Sequence, residues 1–191
     1  YERLATSWFN YEVTQLKNLI KGMLIASLFF LNNFIFASSS EALDFYKEGF
    51  EYSQKGQNNK AFDLMMKSAD LGYAPAQNNI GLSYLHGLGV EKDDTRAYEY
   101  LSMAAFQGLN HAQTELGMLF YQGRGVKKNI DKARKWWTIS SQGKDEYAQY
   151  NLASLLLELG DQEKAIYWLK EAYKNKHPLA EDALIKLGEF K

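Results

Sequence analysis

The chain contains no cysteine. That excludes disulfides, thiolate zinc sites and a cysteine nucleophile. Histidine occurs only at His86, His111 and His177, and no two stand four residues apart on one helix face, so the two-histidine metal motif is absent. No metal or cofactor is therefore expected. No Gly-x-Ser-x-Gly elbow or His-Glu-x-x-His string occurs. The acidic pairs Glu48/Glu51 and Asp93/Asp94 read as solvated surface or helix caps, because a glycosidase needs two carboxylates facing across a cleft. No catalytic residue is assigned. A basic face is lacking too: beyond residue 39 the chain carries 19 basic and 21 acidic residues, which argues against binding a phosphate backbone.

What is present is a period. Ala76-Gln77-Asn78-Asn79-Ile80-Gly81 recurs as Ala112-Gln113-Thr114-Glu115-Leu116-Gly117 and as Ala148-Gln149-Tyr150-Asn151-Leu152-Ala153, each 36 residues after the last. A second alanine recurs at Ala61, Ala97, Ala133 and Ala165. A fixed period of this length marks stacked helical hairpins, which offer a surface rather than a catalytic cleft. Within each unit the apolar spacing is helical: Ala97, Tyr100, Leu101 and Ala104 are matched by Ala133, Trp136, Trp137 and Ser140, and by Ala165, Trp168, Leu169 and Ala172. Small residues at Gly81 and Ala97 allow two helix axes to approach closely, and aromatic side chains fill the space between layers.

The punctuation fits. Asn58, Asp94, Asn129 and Asp161 are placed to cap second helices, and Gly72, Gly108 and Gly143 to end them in a left-handed residue. Gly87-Leu88-Gly89-Val90 and Gly123-Arg124-Gly125-Val126 read as tight turns; a phosphate cradle would need a preceding strand.

Residues 76–112 follow the pattern Ala-x3-Leu-Gly-x2-Tyr-x2-Gly-x-Gly-Val-x6-Ala-x6-Ala-Ala-x2-Gly almost throughout, and residues 112–148 follow it with Ser140-Ser141 for Ala-Ala. The pattern resembles the Sel1-like repeat family. Residues 42–76 and 149–180 match less well, and their shorter loops look like tetratricopeptide repeats, the parent architecture. The resemblance implies an all-α, α/α superhelical solenoid with repeats at about 42–76, 77–112, 113–148 and 149–180 and a capping helix over 180–191. It also implies an adaptor for protein complexes, without enzymatic activity in most members. Some secreted relatives staple each repeat with a disulfide, and activity against β-lactams has been attached to them. This chain has no such cysteines, so that activity is not carried over.

In tetratricopeptide-like stacking the first helix of each pair lines the concave side. Counting from Gly49, Gly81, Gly117 and Ala153, the groove-facing positions are Leu43, Tyr46, Phe50 and Ser53; Pro75, Asn78, Leu82 and Leu85; His111, Thr114, Met118 and Tyr121; and Tyr147, Tyr150, Ser154 and Leu157. This face mixes aromatic and apolar groups with amides and hydroxyls, as suits a protein or peptide partner.

Residues 22–36 are mostly apolar, Lys17 and Lys21 precede them, and Ala37-Ser38-Ser39-Ser40 follows. Residues 1–39 therefore read as an N-terminal extension and signal peptide, with an apolar core too short for a comfortable membrane span. Translation is expected to start near Leu16. The expected product is an exported scaffold of the bacterial periplasm, or a secreted one, with no stable membrane span. The alternatives are a cell-wall or β-lactam binding or hydrolysing protein, and a secreted effector engaging host proteins. The sequence does not fix the oligomeric state.

Overall fold

A computed structural model describes residues 39–189. The expected signal segment and translation start lie outside these residues. The chain divides into two units, Tyr1–Glu41 and Ala42–Lys191. Among the described residues there are nine helices and no strand: α1 (39–54), α2 (Asn58–Asp70), α3 (Ala74–His86), α4 (Asp94–Phe106), α5 (Asn110–Gln122), α6 (Ile130–Gln142), α7 (Glu146–Glu158), α8 (Gln162–Lys174) and α9 (Ala180–Lys186). From α2 to α9 each helix packs on its neighbours in the chain, so the unit is a solenoid of helical hairpins. No described helix is long and apolar enough to cross a membrane.

Small residues set the spacing. Ala76, Ala97, Ala104, Ala112, Ala133, Ala148, Ala165 and Ala172 are fully buried. A Cβ on Gly81 would stand 2.6 Å from Leu101 Cγ, so α3 and α4 touch nearly backbone to side chain there. Leu101, Leu116 and Leu169 fill the layers between, and each such burial stabilises by about 2 kcal/mol.

The glutamine that follows each repeat alanine ties one hairpin to the next. Gln77, Gln113 and Gln149 are buried and donate to the carbonyls of Ala69, Ala105 and Ser141 near the end of the preceding second helix, at 3.2, 3.2 and 3.1 Å. Gln77 Oε1 accepts from Gln107 and Gln149 Oε1 from Asn175, at 2.7 and 2.9 Å. Gly143 stands at the matching position of the middle repeat, so Gln113 Oε1 is buried without a partner. Instead Asn110 crosses that space and donates to the Gly143 carbonyl at 2.9 Å.

The long turns are docking elements. Gly89 and Gly125 have φ of +74° and +64°, and a Cβ on either would fall on the backbone carbonyl of Asn58 or Asp94. Each Gly-x-Gly turn thus rests on the start of the preceding second helix, an approach only glycine permits. Arg124 completes the contact with two bonds to Asp94, at 2.6 and 3.1 Å. The Arg124 guanidinium holds the Asp94 carboxyl below its ordinary range. Both side chains are about 30% exposed, so the pair contributes at most about 1 kcal/mol.

Three expectations shift by one residue. Asp93, not Asp94, caps α4, accepting from the backbone N–H groups of Thr95 and Arg96 at 2.9 and 3.0 Å, because Asp94 is held by Arg124. The residue before α2 is Gln57, and no side chain caps that helix; Asn58 is already its first residue. Asn129 and Asp161 do cap α6 and α8. The left-handed residue after α6 is Lys144, at φ +65°, while Gly143 sits at φ −77°; Gly72 and Gly108 are left-handed as expected. Helix α9 buries Ala180 and Leu184, and its Glu181, Asp182 and Lys186 face water.

Candidate functional site

The first helices α1, α3, α5 and α7 form one layer of the solenoid and α2, α4, α6 and α8 the other. Side chains join neighbours within the first layer: His111 Nδ1 lies 3.4 Å from Asn78 Oδ1, and the Tyr121 hydroxyl donates to Glu158 at 2.8 Å. Of the sixteen positions counted on this face, eleven fall into three groups.

Some border hollows. Phe50 and Leu82 face each other across a hollow of about 200 Å³ between α1 and α3, floored by Ala61 and Met65. Met118, Tyr121 and Ser154 line one of about 80 Å³ between α5 and α7, with Trp137 and Leu155 beneath. Small-molecule sites commonly measure about 300–1,000 Å³. These hollows are smaller, and suit single protruding side chains of a larger partner. The hydrogen bond to Glu158 pushes the Tyr121 hydroxyl above its ordinary pKa, so it stays protonated and polar.

Others pack among themselves. Tyr46 stacks on Phe50 with centroids 6.4 Å apart and meets the edge of Tyr73 at 5.1 Å. Tyr150 stacks on His177 at 4.2 Å, and the exposed Tyr147 meets the same ring edge-on at 5.0 Å. His177 is buried, and its Nδ1 accepts from the Leu179 backbone N–H at 3.2 Å. Burial lowers its pKa, against the opposing pull of Glu146 and Asp145.

The third group is drawn inward. Thr114 is buried, and its hydroxyl bonds the Asn110 carbonyl, Ser140 and Asp145 at 3.2, 2.8 and 2.9 Å. Asn78 is buried beside Asn79 and His111, while His111 is exposed. Leu85 is also buried, where Arg124 of the next repeat reaches its carbonyl.

Sequence reasoning passed over Asn79 and Leu88 in the first hollow and Asn151, Leu155, Trp137 and Glu158 in the second. Their signal is positional: Asn79 and Asn151 lie one turn from residues already chosen, and Leu155 follows Ser154 directly. Trp137 reaches the face from α6 only because Gly117 leaves room. Among the described residues, no group of three or more histidine, aspartate and glutamate side chains could hold a metal ion.

The family described as Sel1 repeat matches residues 40–73, 74–109, 110–145 and 146–177. Among solved structures, the chain is similar to c5321, a protective antigen of uropathogenic Escherichia coli strains displaying an SLR fold: TM-score 0.71, 28% identity, over 78% of this chain and 33% of that one. It is similar to a Sel1 repeat protein from Oxalobacter formigenes, with TM-score 0.65 and 29% identity, over 71% of this chain and 57% of that one. MamA shares the fold at TM-score 0.52 and 19% identity, over 78% of this chain and 86% of MamA. The chain thus spans a third of the first of these relatives and little over half of the second. No curated protein matches it.

Proposed function

The chain belongs to the Sel1 repeat family, and from that premise we propose that it is an exported, non-enzymatic scaffold that holds a protein or peptide along its first-helix layer. Sel1 repeats generally mediate protein interactions. The observation that carries the finer reading is the pair of small hollows on that layer, bordered by Phe50 and Leu82 and by Met118, Tyr121 and Ser154. Two knob-sized hollows, one between the first and second hairpins and one between the third and fourth, fit anchor side chains of one extended partner. Lysines ahead of the apolar run 22–36 and small residues behind it support export to a bacterial periplasm or secretion.

The test is capture of the native partner on immobilised protein, comparing the wild type with Leu82→Lys and Met118→Lys. Both positions are half-buried at the hollow rims, so melting temperatures should move little. The expected result is a retained protein that is lost, by tenfold or more in affinity, with either variant. A partner held equally by all three proteins would place binding elsewhere.

A further inference from the structure

The second-helix layer carries a feature of its own. Each pair of successive second helices flanks a trough floored by the first helix between them. Because the repeats are near copies, the same helix positions line every trough, and the differences can be read side by side.

Between α2 and α4 the trough is filled. Met66 occupies it, its sulfur accepting from the Tyr100 hydroxyl at 3.2 Å. Between α4 and α6 the position of Met66 is taken by Ser102, and a hollow of about 400 Å³ remains. Between α6 and α8 the α6 wall is polar, with Arg134 for Tyr98 and Gln142 for Phe106, while Trp168 keeps the place of Trp136. Among the described residues, the α4/α6 trough has aromatic side chains on both walls, Tyr98 and Phe106 facing Trp136, with a hollow between them.

Its walls are ordered. Tyr98 meets Phe120 edge-on at 5.7 Å, and Phe106 meets Trp136 edge-on at 5.2 Å. Phe106 is 77% exposed, at a position held by Asp70, Gln142 and Lys174 in the other repeats. Lys132 lies 5.1 Å above the Phe120 ring, and Lys135 replaces the Glu99 of the preceding repeat. No carboxylate lines the trough. At its base Ser102 Oγ is buried without a hydrogen-bond partner.

We infer that the α4/α6 trough is a second binding site, for a peptide segment carrying one large apolar side chain beside a carboxylate. The aromatic walls take the apolar group and the two lysines pair with the carboxylate, while the short side chain of Ser102 leaves the room that Met66 fills in the preceding trough. The volume is ample for one aromatic side chain with some backbone, and the trough is open to solvent along one side, as an entering chain requires. The site lies on the layer opposite the hollows at Leu82 and Met118 and does not depend on them.

The experiment titrates isotope-labelled protein with an acetylated pentapeptide, Gly-Asp-Phe-Asp-Gly, and with two controls in which Lys replaces Asp or Ala replaces Phe. The readout is the Trp136 indole N–H resonance. The acidic phenylalanine peptide should shift it saturably, and each control should bind at least tenfold more weakly. Ser102→Met and Lys135→Glu place the preceding repeat's own residues in the trough, so both should fold, and each should weaken binding at least tenfold; Leu82→Lys should not. No shift up to millimolar peptide, equal shifts with the lysine control, or unchanged binding in Ser102→Met would overturn the site. A Trp136 shift that follows protein concentration without peptide would make a second copy of the chain the occupant, and would overturn it too.

Discussion

Gly117 lies directly against the indole of Trp137. A methyl group on Gly117 would stand 2.5 Å from Nε1 and 2.6 Å from Cδ1. The indole has little room to retreat. It is 2% exposed, its N–H donates to the Thr114 carbonyl at 3.0 Å, and its ring lies against Tyr121 with centroids 5.5 Å apart. The missing side chain is what lets α5 and α6 carry a tryptophan between them, and that tryptophan floors the second hollow of the first-helix face.

Gly117→Ala should therefore destabilise, although alanine is the better helix former. Overpacking costs about 1–3 kcal/mol, and the propensity gain returns at most about 1 kcal/mol. A net loss of about 1–2 kcal/mol is expected in urea unfolding. The fourth hairpin carries Ala153 and Leu169 at the same two positions. In a Trp137→Leu background the penalty for Gly117→Ala should shrink by half or more, a coupling of about 1 kcal/mol. Equal penalties in both backgrounds would show that the indole is not the obstacle.

The hairpins were legible because each buries its apolar side by the same contact, so Gly81, Gly117 and Ala153 and the alanines facing them repeat in register. What escaped depends on contacts between repeats. Asp93 and Asp94 are equivalent caps by composition; Arg124, 30 residues on, takes Asp94 and leaves Asp93 to cap. Gly143 invites a left-handed assignment, yet it stands in register with Gln107, and the left-handed position of Gly72 and Gly108 falls on Lys144. Thr114 looks like a groove residue until Ser140 and Asp145 close on its hydroxyl. The α4/α6 trough shows only when Ser102 is set against Met66 with both helices in place.

Lys144 and Lys176 hold left-handed backbone at φ +65° and +68°, where Gly72 and Gly108 serve in the first two repeats. A side chain there costs about 1–2 kcal/mol. Glycine removes that cost but adds about 0.5–1 kcal/mol of unfolded-state entropy. Lys144→Gly and Lys176→Gly should each stabilise by about 0.5 kcal/mol. Both lysines are exposed and far apart in the chain, so the double variant should show the sum. A lower denaturant midpoint for either variant would mean that the lysine side chain makes a contact outweighing its strained backbone.

His177 should make the C-terminal end of the solenoid sensitive to acid. Its ring is buried against Tyr150, and Nδ1 accepts the Leu179 N–H at the turn into α9. Protonation would charge a buried ring and turn that acceptor into a donor. Burial holds the folded pKa below the ordinary 6.5, although the Glu146 and Asp145 carboxylates pull the other way. The unfolded chain takes up this proton first as pH falls, so the neutral ring's contribution is complete above about pH 6.5 and is lost between there and the lower folded value. Melting temperature should fall between pH 7 and 5.5, before ordinary carboxylates titrate. His177→Phe keeps a ring against Tyr150 but removes the titrating group. It should melt lower at pH 7, for want of an acceptor for Leu179, and its melting temperature should be nearly level across the same interval. An equal slope in both proteins would assign the acid sensitivity to another group and leave His177 a packing residue only.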